Sequence, residues 1–251
     1  MTPQALFDAY VRERRQFAPP GYRLDHPEGL IRLTPLAADL DGVVMFSELS
    51  TSTIDDAIAE QIAYFRDLGR SFEWKVYAFD APTDLARRLE QRGFVAGDRE
   101  AFMVYHVSAL PTVVPPHGFR IERVISEAGM RDIVAVQEAV WGRSFPWLKS
   151  ALAASLAQAS LFCAYVNDQP AGTGWIDFPA NSSFAELHGG AVLAAHRGRG
   201  LYSALYRVRM LEAKARGFPF VSVDAAPMSC PLLLRKGFEC VCETTPYRWP
   251  G

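Results

Sequence analysis

Residues 194–202 read Ala-Ala-His-Arg-Gly-Arg-Gly-Leu-Tyr, and this loop decides how the chain is interpreted. The residues before it, 184–193, are apolar with strand character, and an amphipathic run begins at Gly200. A glycine-rich turn from a strand into a helix leaves backbone N–H groups unpaired at the positive end of the helix dipole, where phosphate oxygens bind. Gly198 and Gly200 lack Cβ atoms, so a ligand can approach the main chain closely. The segment therefore predicts a pyrophosphate site.

The spacing of the loop residues separates this loop from other phosphate-binding loops. No Lys-Ser or Lys-Thr pair follows the glycines, as a P-loop requires, and Ser203 stands where a dinucleotide fingerprint needs its third glycine. The pattern that fits is Arg-x-x-Gly-x-(Gly/Ala), which runs from Arg197 through Gly200 to Tyr202. Arg197 and Arg199 add positive charge beside the glycines.

This pattern resembles the acetyl-CoA loop of the GCN5-related N-acetyltransferase (GNAT) superfamily. Residues 184–193 resemble the central strand of that family, and residues 229–238 resemble its late helix, which ends in a Gly-Phe pair. The resemblance covers residues 118–251. It implies an α/β (mixed α+β) fold with a twisted mixed sheet flanked by helices. It also implies an N-acetyltransferase that uses acetyl-CoA as its cosubstrate.

The resemblance implies a set of residues that bind acetyl-CoA. They are Val192, Leu193, Ala194, Arg197, Gly198, Arg199, Gly200, Leu201 and Tyr202. Val192 and Ala194 are expected to line the pantetheine arm, with the Val192 N–H near the thioester oxygen. The backbone N–H groups of residues 198–202 are expected to contact the pyrophosphate. Tyr202 departs from the family, which has a small residue there, and it leaves less room for the cofactor.

The run after the loop predicts an amphipathic helix that ends at Gly217. Its apolar stripe is expected to face the core and consists of Leu201, Leu205, Val208 and Leu211. Its charged residues are expected to face solvent and are Arg207, Arg209, Glu212 and Lys214. The strand at residues 220–223 is expected to run parallel to residues 184–193 and to separate from them where the cofactor enters.

A proline-rich segment divides the chain. Three prolines and a glycine in residues 110–118 cannot lie inside a helix or a central strand, so they predict a linker. The predicted division is a first domain at residues 1–110, a linker at residues 111–117 and an acetyl-CoA-binding domain at residues 118–251.

The first half repeats the later part of this pattern as a weak internal repeat. It has a predicted helix at residues 53–68, a strand at residues 74–79 and a helix with a Gly-Phe exit at residues 82–94. This order resembles tandem GNAT proteins, whose first copy is often degenerate. Residues 47–53, Ser-Glu-Leu-Ser-Thr-Ser-Thr, stand where the glycine-rich loop should be, so the first copy is expected to bind no CoA. An unrelated α/β domain remains the alternative.

Two residues on the predicted central strand are candidates for catalysis. Acetyl transfer to an amine requires the uncharged amine, so a base that removes its proton helps. Glu186 is the candidate base, since its position resembles that of a strand glutamate with this role in the family. His188 lies two residues on, hence on the same face, and could relay a proton or hold substrate. The alternatives are an ion-paired surface glutamate and a histidine that only packs or hydrogen-bonds.

The general acid cannot be identified from the resemblance. Family members often carry a tyrosine at the position of Leu233, and leucine cannot donate a proton. Ser229, Tyr202 and Tyr247 are possible substitutes. Direct departure of the thiolate is equally compatible with the sequence, because a thiol is already a fair leaving group.

Composition limits the function classes. The chain has 251 residues, 49% of them hydrophobic, and a net charge of −2, so it has no overall basic field for nucleic acid or anionic membrane. No N-terminal signal pattern is visible, and a cytoplasmic location is expected. Four cysteines (Cys163, Cys230, Cys240 and Cys242) lack zinc-site spacing, and Cys240 and Cys242 are expected on one strand face. No metal is predicted.

Four functions compete at this point. The first is an N-acetyltransferase that acts on a small-molecule or peptide amine. The second is a non-catalytic acyl-CoA-binding or regulatory protein, which Leu233 and the degenerate first copy favour. Nucleic-acid binding through residues 197–200 is weak because interleaved aromatic residues are missing. A nucleotide phosphotransferase is weak because the P-loop lysine is missing.

Overall fold

A computed structural model describes residues 1–107 and 118–251. The chain forms two compact units. Unit 1 consists of Met1–Val104 and Asp224–Gly251, and unit 2 consists of Tyr105–Val223. The linker predicted at residues 111–117 lies outside the described residues.

Unit 1 has a mixed sheet flanked by helices. Its elements are α1 (Pro3–Arg14), β1 (Tyr22–Asp25), β2 (Leu30–Pro35), β3 (Gly42–Ser47), α2 (Ile54–Asp67), β4 (Phe72–Tyr77), α3 (Leu85–Gln91), β5 (Val95–Ala96) and β6 (Glu100–His106). Unit 2 holds β7 (Arg120–Val124), α4 (Glu127–Trp141), α5 (Leu148–Ser155), β8 (Ala159–Val166), β9 (Gln169–Asp177), β10 (Phe184–Val192), a 3-10 turn (Ala194–His196), α6 (Leu201–Ala215) and β11 (Phe220–Ala225). The chain then returns to unit 1 with α7 (Cys230–Leu234) and β12 (Glu239–Trp249).

The strand order in unit 1 is β1-β2-β3-β4-β12-β6, and β5 pairs with β12. Only β3 and β4 are parallel in this sheet; the other described pairs are antiparallel. Helix α2 confirms the prediction for residues 53–68. Its apolar stripe, Ile54, Ile58, Ile62 and Phe65, is buried in the core, and Gly69 ends the helix with a φ of +63°.

The C-terminal strand belongs to the sheet of unit 1. β12 pairs with β4 over Thr244–Trp249, and the side chains of Tyr247 and Trp249 lie in the same core as Phe72 and Trp74. This grouping differs from the predicted division, which kept all of residues 118–251 together. The physical reason is nonlocal strand pairing, which a local hydrophobic pattern does not encode.

Unit 2 also has a mixed sheet, with the order β11-β10-β9-β8-β7. β10 and β11 are parallel, as predicted, and the other described pairs are antiparallel. Helices α4 and α6 both pack on β8, β9 and β10. The core that involves α4 and α5 contains Leu161, Cys163 and Tyr165 of β8, whereas Ser160 of β8 hydrogen-bonds to Glu212 of α6. The two helices therefore cover opposite faces.

The buried stripe of α6 differs from the prediction. Leu201 and Leu205 are buried as expected, but Leu211 is 43% exposed and Arg209, predicted to face solvent, is only 2% exposed. The buried face continues at a spacing of four residues from Leu205 to Arg209. A glycine in β9 makes room for the guanidinium, since a Cβ on Gly174 would lie 2.7 Å from its central carbon.

The four cysteines are all free thiols. The prediction that Cys240 and Cys242 share a strand face is wrong, because Cys240 is exposed and Cys242 is buried. A register shift between them in the β12–β6 ladder rotates the strand. In the described residues, no group of His, Cys, Asp and Glu side chains is placed to hold a metal ion, and no helix has both the length and the apolar composition to span a membrane.

The place of β12 in unit 1 makes Trp249 a core residue of that unit. Its ring centroid lies 5.8 Å from that of Phe72. We expect Trp249→Ala to lower the free energy of unfolding of unit 1 by about 3–5 kcal/mol, since truncating a buried aromatic residue removes apolar burial and leaves a cavity. Urea unfolding monitored by hydrogen exchange of the β4 amides measures this loss. Leu234→Ala, at an exposed position, is the control, and a loss below about 1 kcal/mol for Trp249→Ala would contradict the assignment.

Candidate active site

The parallel strands β10 and β11 separate along their length. Their ladder covers only Phe184–Glu186 of β10, which pairs with Phe220–Ser222 of β11. β10 continues to Val192, and its other edge remains paired with β9 as far as Gly172. Beyond Glu186 this edge of β10 therefore has no ladder with β11, and in that sense it is an unpaired edge. Such an edge can accept an extended ligand as an additional strand.

A bulge in β10 lies within this unpaired edge. The register with β9 shifts between His188 and Ala191. Gly189 adopts a φ of +58°, and a Cβ there would lie 1.7 Å from the ring of Trp175. Only glycine fits this position, for two reasons. The backbone is left-handed, which other residues rarely adopt, and the indole of Trp175 occupies the space where a side chain would lie. The Trp175 ring is in turn stacked on His188, with ring centroids 6.4 Å apart.

Buried polar side chains hold the carbonyl groups of the bulge. Gln137 Nε2 donates to Gly189 O at 2.7 Å, and Thr173 Oγ1 donates to the same oxygen at 3.0 Å. Arg209 Nη1 donates to His188 O at 3.3 Å. Since Gln137, Thr173 and Arg209 are all buried, these bonds form in a low-dielectric environment and fix the backbone conformation strongly.

Arg209 places a positive charge beneath the bulge. Its Nε also donates to Leu205 O at 2.9 Å, and no carboxylate of the described residues pairs with it. Burial lowers the pKa of Arg209 to about 10, against the effects of Tyr202 and Tyr206. The guanidinium is therefore charged at neutral pH. Sequence reasoning missed this residue, although its spacing of four from Leu205 placed it on the buried stripe.

The main chain after the bulge is arranged around Val192. The Leu193 N–H donates to Ala171 O, toward β9, at 2.9 Å. Because successive N–H groups of a strand point to opposite edges, the Val192 N–H points toward the edge on which β11 lies. Arg197 folds back on the strand, and its Nε donates to Val192 O at 3.1 Å. Arg197 therefore links the loop to the end of β10 through this hydrogen bond.

The loop between β10 and α6 presents the free N-terminus of a helix. The 3-10 turn at Ala194–His196 is followed by Gly198 and Gly200, with φ values of +71° and +86°. Gly200 is the N-cap of α6, and no side chain caps the helix. Within the described residues, the N–H groups of residues 198–202 donate no backbone hydrogen bond. A Cβ on Gly198 would meet nothing within 4 Å, so this main chain is accessible. These groups fit a pyrophosphate.

Three titratable side chains meet at the start of the unpaired edge. Asp177 of β9 is directly opposite Glu186 in the ladder. His188 Nε2 lies 3.6 Å from Asp177 Oδ2 and 3.7 Å from Glu186 Oε2. The side chain of Glu186 is 6% exposed, whereas that of His188 is 41% exposed. The imidazole is thus the accessible member of the cluster. Asp177 was missed from the sequence, because only strand pairing brings it to Glu186.

The candidate general acids have different surroundings in the structure. Tyr202 lies beside the bulge, since a Cβ on Gly190 would lie 3.3 Å from its ring. Burial raises the pKa of the Tyr202 phenol, and the charge of Arg209 opposes this rise. Leu233, Ser229 and Tyr247 all belong to unit 1. Leu233 is a buried apolar side chain, Ser229 Oγ donates to Ala226 O, and Tyr247 packs in the core.

Residues 128–238 match the family model described as acetyltransferase (GNAT) family. The chain contains a GNAT acetyltransferase domain. No curated protein sequence is significantly similar to the chain.

Solved structures with the same fold include other GNAT proteins. The GCN5-related N-acetyltransferase from Kribbella flavida is 16% identical, with a TM-score of 0.72 over 99% of this chain and 94% of that one. The GCN5-related N-acetyltransferase from Sphaerobacter thermophilus is 16% identical, with a TM-score of 0.66 over 88% and 76%. A tandem GNAT protein from the clavulanic acid biosynthesis pathway is 14% identical, with a TM-score of 0.60 over 97% and 87%. These similarities show that the GNAT fold extends over both halves of the chain.

The clash at Gly189 gives a test of the bulge. Gly189→Ala and Gly198→Ala both place a side chain at a positive φ, but only the first meets an obstacle, the Trp175 ring. We expect Gly198→Ala to cost about 1–2 kcal/mol of backbone strain. We expect Gly189→Ala to cost a further ~1–3 kcal/mol, because Trp175 must move away from His188. Denaturant unfolding of both variants measures the difference, and equal losses would show that the bulge does not depend on this contact.

Proposed function

We propose that the chain is an acyl-CoA-dependent N-acetyltransferase that transfers an acetyl group from acetyl-CoA to an amine of a small molecule or a protein. One observation carries the proposal. An unpaired, bulged strand edge leads directly into an uncapped helix N-terminus, with a carboxylate and imidazole cluster at the start of that edge. The edge fits a pantetheine arm, the helix N-terminus fits its pyrophosphate, and the cluster fits an amine.

The proposed cosubstrate site uses main chain more than side chains. The N–H groups of residues 198–202 would hold the pyrophosphate, and the exposed Arg199 would add charge at the loop surface. Val192, Leu193 and Ala194 would line the pantetheine arm. Leu201 is buried and anchors the first turn of α6. When bound there, acetyl-CoA supplies an activated thioester carbonyl close to the Val192 N–H.

Unit 1 lacks the matching anion site. Two N–H groups at the start of α2, those of Thr53 and Ile54, both donate to Ser50 O, so the preceding loop occupies part of this helix N-terminus. Asp55 and Asp56 occupy the first turn of α2, where their charges would repel a phosphate. We therefore propose that unit 1 binds no CoA.

The proposed base is Glu186, with His188 as the group that the amine reaches. A protonated amine is attracted by the two carboxylates, Glu186 and Asp177, that flank the imidazole. The proton passes from the amine nitrogen to His188 and is held by Glu186. The neutral amine nitrogen then attacks the thioester carbonyl carbon, forming the C–N bond as the C–S bond breaks, and the second proton that the nitrogen loses balances the protonation of the departing thiolate.

Two groups of the site can stabilise the negative charge that develops on the carbonyl oxygen during transfer. The Val192 N–H can donate to the carbonyl oxygen as it becomes negative, and a preorganised donor of this kind lowers the barrier. The Arg209 cation lies beneath the same bulge and stabilises negative charge without moving. The thiolate departs directly or takes a proton from the Tyr202 hydroxyl, which is the acid candidate that lies in unit 2.

The cosubstrate site is tested by placing a negative charge in the loop. We expect Gly200→Glu to abolish acetyl-CoA binding in calorimetry, through steric clash and charge repulsion. Gly217→Glu is the matched control, since Gly217 lies at the other end of α6 with a φ of +80°. Both variants carry a glutamate at a positive φ, so their backbone strain is matched, and the control should retain affinity because Gly217 lies outside the loop. Equal affinity for the two variants would remove the loop from the proposal.

The base is tested by Glu186→Gln, which keeps the shape of the side chain and removes its basicity. Loss of a general base typically costs about 10²–10⁴-fold, so kcat/KM should fall by that order while acetyl-CoA affinity is unchanged. The deficit should shrink as pH rises toward the pKa of the amine, because more substrate is then already deprotonated. Free thiol release across a panel of amines, with Glu122→Gln as an exposed control, measures this.

Two outcomes of this experiment have separate meanings. Full activity of Glu186→Gln at neutral pH would exclude Glu186 as the base while leaving the transferase proposal in place. Acetyl-CoA binding by the unmodified chain without turnover of any amine would favour the alternative, a non-catalytic acyl-CoA-binding protein, for which the apolar Leu233 is the supporting observation.

A further inference from the structure

Unit 1 contains a cavity that the proposed acetyl transfer does not use. Its volume is about 310 Å³, and it lies between one face of α1, the end of β3 and the turn after β4. The parts that matter here are Phe7 on α1, Phe46 and Ser47 at the end of β3, and Phe79 and Asp80 after β4. A cavity of this volume accommodates a small molecule.

Strand geometry explains why a cavity lies here. β3 and β4 are parallel, and their ladder covers only Gly42–Val44 with Phe72–Trp74, although both strands continue for three residues. The same divergence separates β10 from β11 in unit 2. A crevice beyond the carboxyl ends of diverging parallel strands is a common place for ligands in α/β folds.

Ser47 provides the first polar group of the cavity. The residue is 6% exposed, and its Oγ has no hydrogen-bond partner among the described residues. An unsatisfied buried hydroxyl is costly and uncommon in folded proteins. Because Ser47 lines the cavity, a polar atom of a ligand can supply the missing bond.

Asp80 provides the second polar group and a charge. Its Oδ2 accepts a hydrogen bond from the Tyr77 N–H at 2.8 Å, and it has no ion-pair partner among the described residues. Burial raises the pKa of Asp80 to about 7, although the bond from the Tyr77 N–H lowers it. A cation bound beside this carboxyl would favour its ionised form.

None of the remaining charges that the structure describes around the cavity forms an ion pair with Asp80. Arg15 is already paired with Glu48, and Asp8 accepts a bond from Gln4 at 2.8 Å. Arg12 is exposed at the rim. The titratable groups that face this region are Asp8 and Arg12 of α1, Arg15 directly after α1, Glu48 after β3, Tyr77 of β4 and Cys242 of β12. With Asp80 ionised, the lining carries three acids and two arginines.

Aromatic rings form the apolar part of the cavity. The ring centroids of Phe7 and Phe79 lie 5.3 Å apart, and Phe46 is stacked on Tyr77 at 5.6 Å. Phe79 is partly exposed, so its face is available at the opening. Aromatic faces favour both apolar groups and organic cations.

We propose that this cavity is a binding site for a small primary amine with a compact apolar or aromatic body. The ammonium group pairs with Asp80 and hydrogen-bonds to Ser47 Oγ, and the body packs against Phe7, Phe46 and Phe79. A CoA-sized anion does not fit this chemistry, because it would meet the acids of the lining, Asp8, Glu48 and Asp80. The site is therefore distinct from the proposed transferase site and does not depend on it.

Calorimetry of the full chain with 2-phenylethylamine tests the proposal. Binding should be detected with the amine, and 2-phenylethanol and 3-phenylpropanoate should bind at least about tenfold more weakly, since only the amine pairs with a carboxylate. Asp80→Asn should weaken amine binding about tenfold or more, and Ser47→Ala about fivefold, the effect of one hydrogen bond. Asp67→Asn, an exposed position outside the cavity, should leave affinity unchanged.

Two further measurements separate this site from the transferase site and from loss of folding. Glu186→Gln should retain amine binding, whereas binding lost in Glu186→Gln and kept in Asp80→Asn would overturn the proposal.

The pH dependence of binding is the second measurement. Near pH 7 the amine should release a proton from Asp80 on binding, so affinity should rise as pH increases through about 7. In Asp80→Asn the affinity should not change over this pH range. Ser47→Ala removes an unsatisfied hydroxyl and should keep the fold. No binding of 2-phenylethylamine at millimolar concentration would also overturn the proposal.

Discussion

The bulge in β10 is the constraint on which the candidate site depends. Gly189 can adopt its backbone only because it has no Cβ, and Trp175 fills the vacated space. The two carbonyl groups at the bulge are bound by buried side chains, Gln137 and Thr173 on one and Arg209 on the other. These bonds turn the N–H groups beyond the bulge toward the open edge of the strand. The N–H groups at the open edge are thus held in position by hydrogen bonds in the interior of unit 2, before any ligand binds. This is preorganisation.

Both units use the same divergence of two parallel strands for different purposes. In unit 2 the ladder ends at Glu186 and the strand leads into an uncapped helix. In unit 1 the ladder ends at Val44, and the following loop bonds to the N-terminus of α2 through Ser50. The divergence creates space in each case, but the loop decides which ligand is complementary. Unit 1 therefore has the crevice without a glycine-rich loop beside it.

The parts of the molecule that were predictable from the sequence are those encoded locally. The loop at residues 194–202, the strand before it and the apolar stripe of α2 all depend on residues that are neighbours along the chain, so pattern and spacing indicate them. Asp177 reaches Glu186 through strand pairing, and β12 joins unit 1 through pairing with β4. Arg209 is predicted to face solvent because charged residues usually do. Its burial depends on Gly174 of β9, which is distant from it along the chain. Nonlocal pairing and compensation of this kind do not appear in a local pattern.

The electrostatics of the two crevices follow from these differences. Each has a carboxylate close to the point where its parallel strands diverge: Glu186, the last residue of the ladder, with Asp177 in unit 2, and Asp80 after β4 in unit 1. Unit 2 also has an uncapped helix N-terminus and the buried Arg209, which are compatible with the proposed anionic cosubstrate beside a cationic amine. In unit 1, Asp80 has no ion-pair partner among the described residues, and the lining of the cavity carries three acids and two arginines once Asp80 is ionised. A crevice with that excess of negative charge favours a cation over an anion.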